Sequence, residues 1–446
     1  MRGSRARSRR TVWAALALAV PLVGAALALP GDDFEEEPIR YSASTPTDPI
    51  AKLQAKIDRG EVSLRRDLRR GYLDPVLKAL GIPVSSQTLV FAKTSFQRDR
   101  ISPLRPRALY FNDHTYIGYV QGGDVLEIST TDPQLGAVFY VLDQTPAAKP
   151  KFVRQTHECL SCHSSSLTRS VPGHTVRSVY PARDGQPIFN AGTFITRDAS
   201  PMEERWGGWY VTGTHGEMRH MGNQMVGNAE AAQNMDRSRG ANIKDLRRFF
   251  DPSPYPTPHS DLVALMMLQH QADLHNLITR AGYETRKALH FEQLLNKELG
   301  RKQEGHSEST LSRIKSGCEP LVKGLLFTEE APLKGPIVGT SGFTEEYSAK
   351  GPRDAKGRSL RQLDLRTRLL RYPCSPLIYS EAFDQLPPQA RDYVYRRLWE
   401  VLDGRDQSEE FARLTDADRQ AIREILLETK PGFAAARPAT AEEDAS

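Results

Sequence analysis

The sequence predicts an α+β protein, rich in strands through its first half and mainly helical after it. Three observations carry that expectation. Between Gln87 and Gln144, the runs QTLVFAK, RALYFND, TYIGYV, DVLEIST and GAVFYVLDQ are dense in β-branched and aromatic residues, and Asn112-Asp113, Gly122-Gly123 and Asp132-Pro133 punctuate them. This is the pattern of an antiparallel meander. After the proline-rich stretch DPSPYPTP that begins at Asp251, apolar residues recur at intervals of three and four, the period of amphipathic helices. The composition, 39% hydrophobic and 26% charged over 446 residues, is that of a folded chain long enough for two or three cores.

Taken in order, residues 1–28 read as a signal peptide. Arg2, Arg5, Arg7, Arg9 and Arg10 precede an apolar run from Thr11 to Leu29 that passes through Ala26-Leu27-Ala28, a basic head, an apolar centre and a small-residue cleavage site. The protein is therefore expected to be periplasmic or secreted, and an uncleaved leader is the one membrane attachment the sequence offers. The formal charge of +5 falls to near zero without those five arginines, which argues against a nucleic-acid partner.

Residues 29–146 read as an N-terminal α+β region. IAKLQAKIDRG and LRRDLRRGYLDPVLKAL predict two helices before Gly81-Ile82-Pro83, with Arg65, Arg66, Arg69 and Arg70 on a solvated helix face. The meander follows. Residues 147–250 form a second region, in which TVRSVYPARDGQPIFNAGTFITRD predicts a hairpin around Asp184-Gly185 and GGWYVTG a short strand from which GEMRHMGN returns. Residues 251–430 are the helical region. HSDLVALMMLQHQADLHNLITRAGYETRKALHFEQLLNKELG predicts a long helix capped by Ser260, with a break near Gly282. SESTLSRIKSGCEPLVKGLL, SPLIYSEAFDQL, PPQARDYVYRRLWEVLDG and DADRQAIREILLETK predict four more. Residues 431–446 read as a flexible tail. No 20–50-residue repeat, phosphate loop or G-x-S-x-G motif is present.

The chemistry concentrates at residues 157–166, HECLSCHSSS, which hold two of only 4 cysteines. Cys159-Leu160-Ser161-Cys162-His163 is C-x-x-C-H, the attachment pattern for haem c. Two thiols three residues apart can reach the two vinyl groups of a porphyrin, and the adjacent imidazole can ligate iron. Three alternatives compete with this reading. A thioredoxin-like pair would want a strand before it and a helix after it, and would not need the histidine. A zinc site would need further ligands nearby, whereas Cys318 and Cys374 are distant in sequence. A disulfide between Cys159 and Cys162 would close a strained ring.

The C-x-x-C-H motif resembles the haem site of c-type cytochromes. That resemblance implies one covalent haem c, thioethers at Cys159 and Cys162, His163 as proximal ligand, single-electron transfer, and residence outside the cytoplasmic membrane. ERWGGWYVTGTHGEMRHMGN, from Glu204 to Asn223, resembles large single-haem bacterial proteins of unassigned role. The motif sits mid-chain among strand-like sequence, so the compact fold of a small helical cytochrome c is not expected. For the distal iron position the candidates are Met221 or His220, then His174; Met202, His215, Met218, Met225, Met266 and His270 complete the set. Arg169, Arg177, Arg183 and Arg219 are candidate propionate partners.

Two functional classes follow. One is an electron-transfer protein serving redox protein partners or small-molecule electron donors and acceptors. The alternative is a haem c enzyme or small-ligand sensor with an open axial position, for which His157 and Glu158 are the nearby acid-base groups. A haem region fused to a chiefly binding body is a third, duller possibility. Of the remaining thiols, Cys318 and Cys374 are expected to form a disulfide in an oxidising compartment.

Overall fold

The structure, a computed structural model, describes residues 33–147, 149–302 and 305–437; the expected leader lies outside them. Two helices, α1 (Pro49–Asp58) and α2 (Leu73–Leu80), come first. Asp48 starts α1, accepting from the Ile50 and Ala51 amides at 2.7 and 3.1 Å and from the Tyr140 hydroxyl at 2.6 Å. Between the helices RRDLRR is a turn and not the expected helix. Asp67 takes the Arg69 and Arg70 amides, an alternative to helical bonding, and Leu68 is 93% exposed with no apolar face to join.

Strands β1 (Thr88–Val90), β2 (Arg107–Phe111), β3 (Thr115–Tyr119), β4 (Val125–Asp132), β5 (Gly136–Asp143) and β6 (Phe152–Gln155) follow, as the meander pattern predicts. Next come the one-turn helix α3 (Leu160–His163), the hairpin β7 (Arg177–Val179) and β8 (Thr193–Ile195), and β9 (Trp209–Tyr210). Strands β1 to β6 and β9 make one sheet in the order β6-β5-β4-β3-β2-β1-β9, antiparallel at every pairing. Residues on both sides of position 147 therefore share this sheet.

The two faces of the sheet differ. Leu126, Ile128, Ile117, Tyr110 and Leu142 alternate onto one face and pack on Ile50, Leu53, Leu73 and Val76 of the first helices. On the other face Val125, Glu127, Ser129 and Val141 are half-buried and Val153 is 48% exposed. Registers Leu109↔Gly118, Gly118↔Glu127, Glu127↔Val141 and Val141↔Val153 place these residues side by side.

After α4 (Ala229–Gln233), helix α5 (Leu262–Glu298) runs 37 residues without the expected break at Gly282, which lies against Leu386. Its cap is Asp261, not Ser260, because the Ser260 hydroxyl donates to the Tyr210 carbonyl at 2.5 Å and accepts from the Leu89 amide at 2.8 Å. Asp261 Oδ1 accepts from the Val263 and Ala264 amides while Oδ2 accepts from the Thr340 and Ser341 amides. One carboxylate thus starts the helix and anchors a loop nearly 80 residues away.

Helix α6 (Glu308–Leu325), α7 (Phe343–Ala349), α8 (Glu381–Asp384), α9 (Pro388–Leu402) and α10 (Asp416–Thr429) complete the helical half. SPLIYSEAFDQL is split between a 3-10 turn and the single turn of α8, and α7 is too short for periodicity to signal. A second core of Leu277, Leu321, Leu398 and Ile425 joins α5, α6, α9 and α10. The architecture is α+β. Within residues 431–437 Phe433 is fully buried and stacks on Trp399 at 4.9 Å, anchoring the start of the expected tail, while most of its neighbours there are exposed. Cys318 and Cys374 are free thiols buried in this core instead of the expected disulfide, and burial pushes both up to about 12. Among the described residues no helix is long and apolar enough to cross a membrane.

Replacing Asp261 removes the cap and the loop anchor together. Asp261→Ala is expected to lower stability by about 3 kcal/mol in urea unfolding, and a loss within a few tenths would refute the dual role.

Candidate functional site

Strand β6 delivers the chain to the motif, and one helical turn then arranges it. The His163 amide donates to the Cys159 carbonyl at 3.0 Å, closing α3, so residues three apart share a side. Cys159 is half-buried against the first core and Cys162 is exposed, both as free thiols. A strand does precede the pair, as in thioredoxin-like sites. However, burial and the nearby Glu127 and Glu158 charges push the Cys159 thiol up to about 11, opposite to the lowered thiol that redox exchange needs.

The His163 ring packs on Phe139 of β5, with centroids 4.8 Å apart, and its Nδ1 lies 2.9 Å from the Gly173 carbonyl oxygen. A carbonyl can only accept, so Nδ1 carries the proton and the neutral ring keeps its lone pair on Nε2. Burial lowers the pKa of His163, which favours this neutral form. The Gly173 amide also donates to the His163 carbonyl at 2.8 Å. The imidazole is thus held in one orientation by the backbone, the second-sphere arrangement typical of a ligating histidine.

Helix α5 fixes the segment that does the holding. Asn276 accepts from the His174 amide and donates to the His174 carbonyl, both at 2.8 Å. A Cβ on Gly173 would fall 2.3 Å from Asn276 Oδ1, so only glycine permits this approach. One turn earlier Asp273 takes Arg169 through two bonds of 2.9 and 2.8 Å.

The distal candidates are placed as follows. His174 is buried beside Phe139, but Ser129 Oγ lies 2.7 Å from its Nδ1 and Thr131 Oγ1 3.2 Å from its Nε2. His220 accepts from the Gly222 amide at Nδ1 and packs on Trp206 and His215. Met221 sits with Tyr180, Val226 and Ala232 in a separate cluster and accepts from the Ser178 hydroxyl at 3.6 Å. The structure brings neither His220 nor Met221 to His163. Their segment returns beside β9, at the sheet edge opposite β6. Met202, Met218 and Met266 belong to the core around the start of α5. His215 accepts from the Asn242 amide, and Met225 packs against the first core.

Of the arginines, Arg169 is committed to Asp273, Arg177 donates to Thr193, and Arg219 donates to the Gly216 and Met218 carbonyls. Arg183 borders a separate surface pocket with Lys93 and Phe249. Sequence reading missed Arg107, which crosses Gly118 on the half-exposed face, pairs with Glu127 at 2.8 Å, and keeps a buried Nε without a partner. His157 and Glu158 are exposed just before the turn.

A second constellation had no local signal at all. His270 lies between Asp198 (Nδ1 to Oδ2, 2.6 Å) and Ser375 (Nε2 to Oγ, 2.7 Å), the connectivity of an acyl-transfer triad. Ser375 is fully buried, its hydroxyl oxygen accepts from the Leu377 amide, and Phe327 stacks over His270 at 4.2 Å. Its burial closes that oxygen to a carbonyl substrate, and the trio ties α5 to the segments that carry Asp198 and Ser375.

Among the described residues no three His, Cys, Asp or Glu side chains converge where a metal ion could be held. Comparison of the chain with known protein families, with curated proteins and with solved structures finds no match.

Buried imidazoles make the fold acid-sensitive. Burial lowers His220 to about 3 and His275 to about 4 from an ordinary 6.5. Below 6.5 the unfolded chain therefore binds more protons than the folded one, and stability falls as the pH is lowered. Glu330, pushed up to about 7 by burial and the Asp198 charge, opposes this with one proton between its ordinary 4.5 and 7. Urea midpoints are expected to rise from about pH 4.5 to about pH 6.5; a flat or falling profile would show that these rings are solvated. Separately, a fluorophosphonate probe is expected to leave Ser375 unlabelled in the native protein, and mass spectrometry checks this.

Proposed function

We propose that the chain carries one covalent haem c at Cys159, Cys162 and His163, and passes single electrons to or from redox partners outside the cytoplasm. The observation that supports this best is the tie from His163 Nδ1 to the Gly173 carbonyl, which leaves Nε2 as a lone pair beside two free thiols. When bound, the haem iron supplies one-electron chemistry, tuned by its axial ligands and burial.

The protein's own residues have definable tasks. Cys159 and Cys162 form the thioethers, and Gly173 keeps the imidazole aimed and neutral. Val125, Val141, Val153 and Leu109 offer apolar ground beside the attachment turn, on the face that helices leave half-exposed. Arg107, paired with Glu127, is a cation on that face, and a carboxylate would compete with Glu127 for it. The leader pattern of residues 1–28 supports export, where haem attachment occurs.

A second reading, a haem c enzyme or small-ligand sensor, draws on the distal candidates. His174 has hydroxyls at both ring nitrogens, while His220 and Met221 lie at the other sheet edge. The distal position then falls to a group outside this set or stays open to a small ligand.

The test is an optical spectrum of the purified full chain, oxidised, reduced, and reduced under carbon monoxide, followed by acid-acetone extraction. Covalent haem is expected in the wild type and absent from Cys159→Ala/Cys162→Ala. A reduced spectrum unmoved by the gas indicates two protein ligands and electron transfer. A shift indicates the open-iron reading, and a chain without haem after expression with the maturation machinery overturns both.

A further inference from the structure

The C-terminal end of helix α5 projects beyond the helices that pack on it. Glu292 fastens the returning chain, its Oε1 accepting from the Ser307 amide at 2.6 Å and its Oε2 lying 2.7 Å from His306 Nδ1. Ser307 then caps α6. Helix α6 therefore begins level with Glu292, and the last two turns of α5 extend past it. Phe291, Leu294, Leu295 and Leu299 at this end are 44 to 53% exposed, and none belongs to a buried core. Residues three and four apart are neighbours on a helix, so the four form one apolar stripe. Large apolar side chains gathered on a surface mark contact with a partner or a membrane.

Charge and chain position identify what covers the stripe. Residues 294–302 carry Lys297, Arg301 and Lys302 against a single acid, Glu298, and all four are exposed. Arg313 of α6 lies over the Phe291 ring at 5.3 Å. Apolar side chains with long basic ones beside them suit the boundary between acyl chains and anionic headgroups, where the cations can reach outward. The start of the described chain lies at the same place. Asp33, the first described residue, pairs with Lys287 at 2.6 Å, one turn before Phe291 and on the same side of α5. The apolar run from Thr11 to Leu29 ends four residues before Asp33, a reach of at most about 14 Å. A leader seated in a bilayer therefore brings that bilayer to the base of the projection.

We infer that the projecting end of α5 docks on the surface of an anionic lipid bilayer, with Phe291, Leu294, Leu295 and Leu299 at the acyl boundary and Lys297, Arg301 and Lys302 among the headgroups. The contact is peripheral and spans nothing. It does not depend on the haem, so its failure leaves the electron-transfer proposal standing.

The test is hydrogen exchange of the full chain with phosphatidylcholine vesicles, with and without phosphatidylglycerol. New protection over residues 291–302 is expected with the anionic vesicles. Its absence overturns the proposal whether or not the leader also holds the vesicle, because the projection is read by its own amides. Equal protection by phosphatidylcholine alone overturns it too. Leu294→Gln/Leu295→Gln/Leu299→Gln is expected to abolish the protection. Lys297→Glu/Arg301→Glu/Lys302→Glu is expected to raise the lipid concentration for half-protection at least about tenfold. Undiminished protection in either variant, with the wild-type circular dichroism, overturns the proposal; if one variant fails to fold, the other decides. Protection that grows with protein concentration in the absence of lipid assigns the stripe to a second copy of the chain and also overturns it.

Discussion

The amide of Asn276 is the contact on which the geometry of the attachment turn depends. A helix buried on nearly every side must find partners for its polar side chains, because unpaired polar groups in the interior are costly. Asn276 solves that problem by pairing both ends of its amide with the His174 backbone. The solution reaches past itself: with His174 fixed, the Gly173 carbonyl is fixed, and with it the His163 ring. A packing requirement of the helical half thereby sets the orientation of an imidazole in the strand-rich half.

The same helix explains why one face of the sheet is half-open. Helix α5 covers the sheet around Tyr116, Phe111 and Val90, where its own apolar residues meet them. It does not reach the ground over Val141 and Val153, and the strand alternation there reads half-buried against buried. Apolar residues are not otherwise favoured at such an exposed edge. The proposed prosthetic group would convert that unfavourable surface into interior.

Much of this was legible in the sequence. The five meander runs appear as strands because period-two patterning and turn residues agree locally, and helices α1, α5, α6, α9 and α10 appear for the same reason at period 3.6. Failures occurred where local signals were overridden. RRDLRR has helical spacing, yet Asp67 captures the next two amides, and Ser260 has the chemistry of a cap but is claimed by strands on either side. At the site, C-x-x-C-H was visible because its chemistry is fixed by spacing alone. Arg107, Gly173 and Asn276 were not, since their roles depend on contacts across the fold. His220 and Met221 attracted notice for a rigid-looking return, which the structure keeps rigid but carries to the other edge of the sheet.

The distance in sequence between the attachment turn and its clasp imposes an order of events. His174 and Asn276 are 102 residues apart. In a chain that crosses a membrane N-terminus first, Cys159, Cys162 and His163 emerge well before Asn276 can close on Gly173 and His174. Through that interval the half-buried Cys159 is accessible and the imidazole is free to turn. If the chain is exported and carries haem as proposed, attachment has a window that opens with translocation and shuts with the docking of one helix, and a slower or faster arrival of α5 would change the yield of attached haem without altering any residue that touches it.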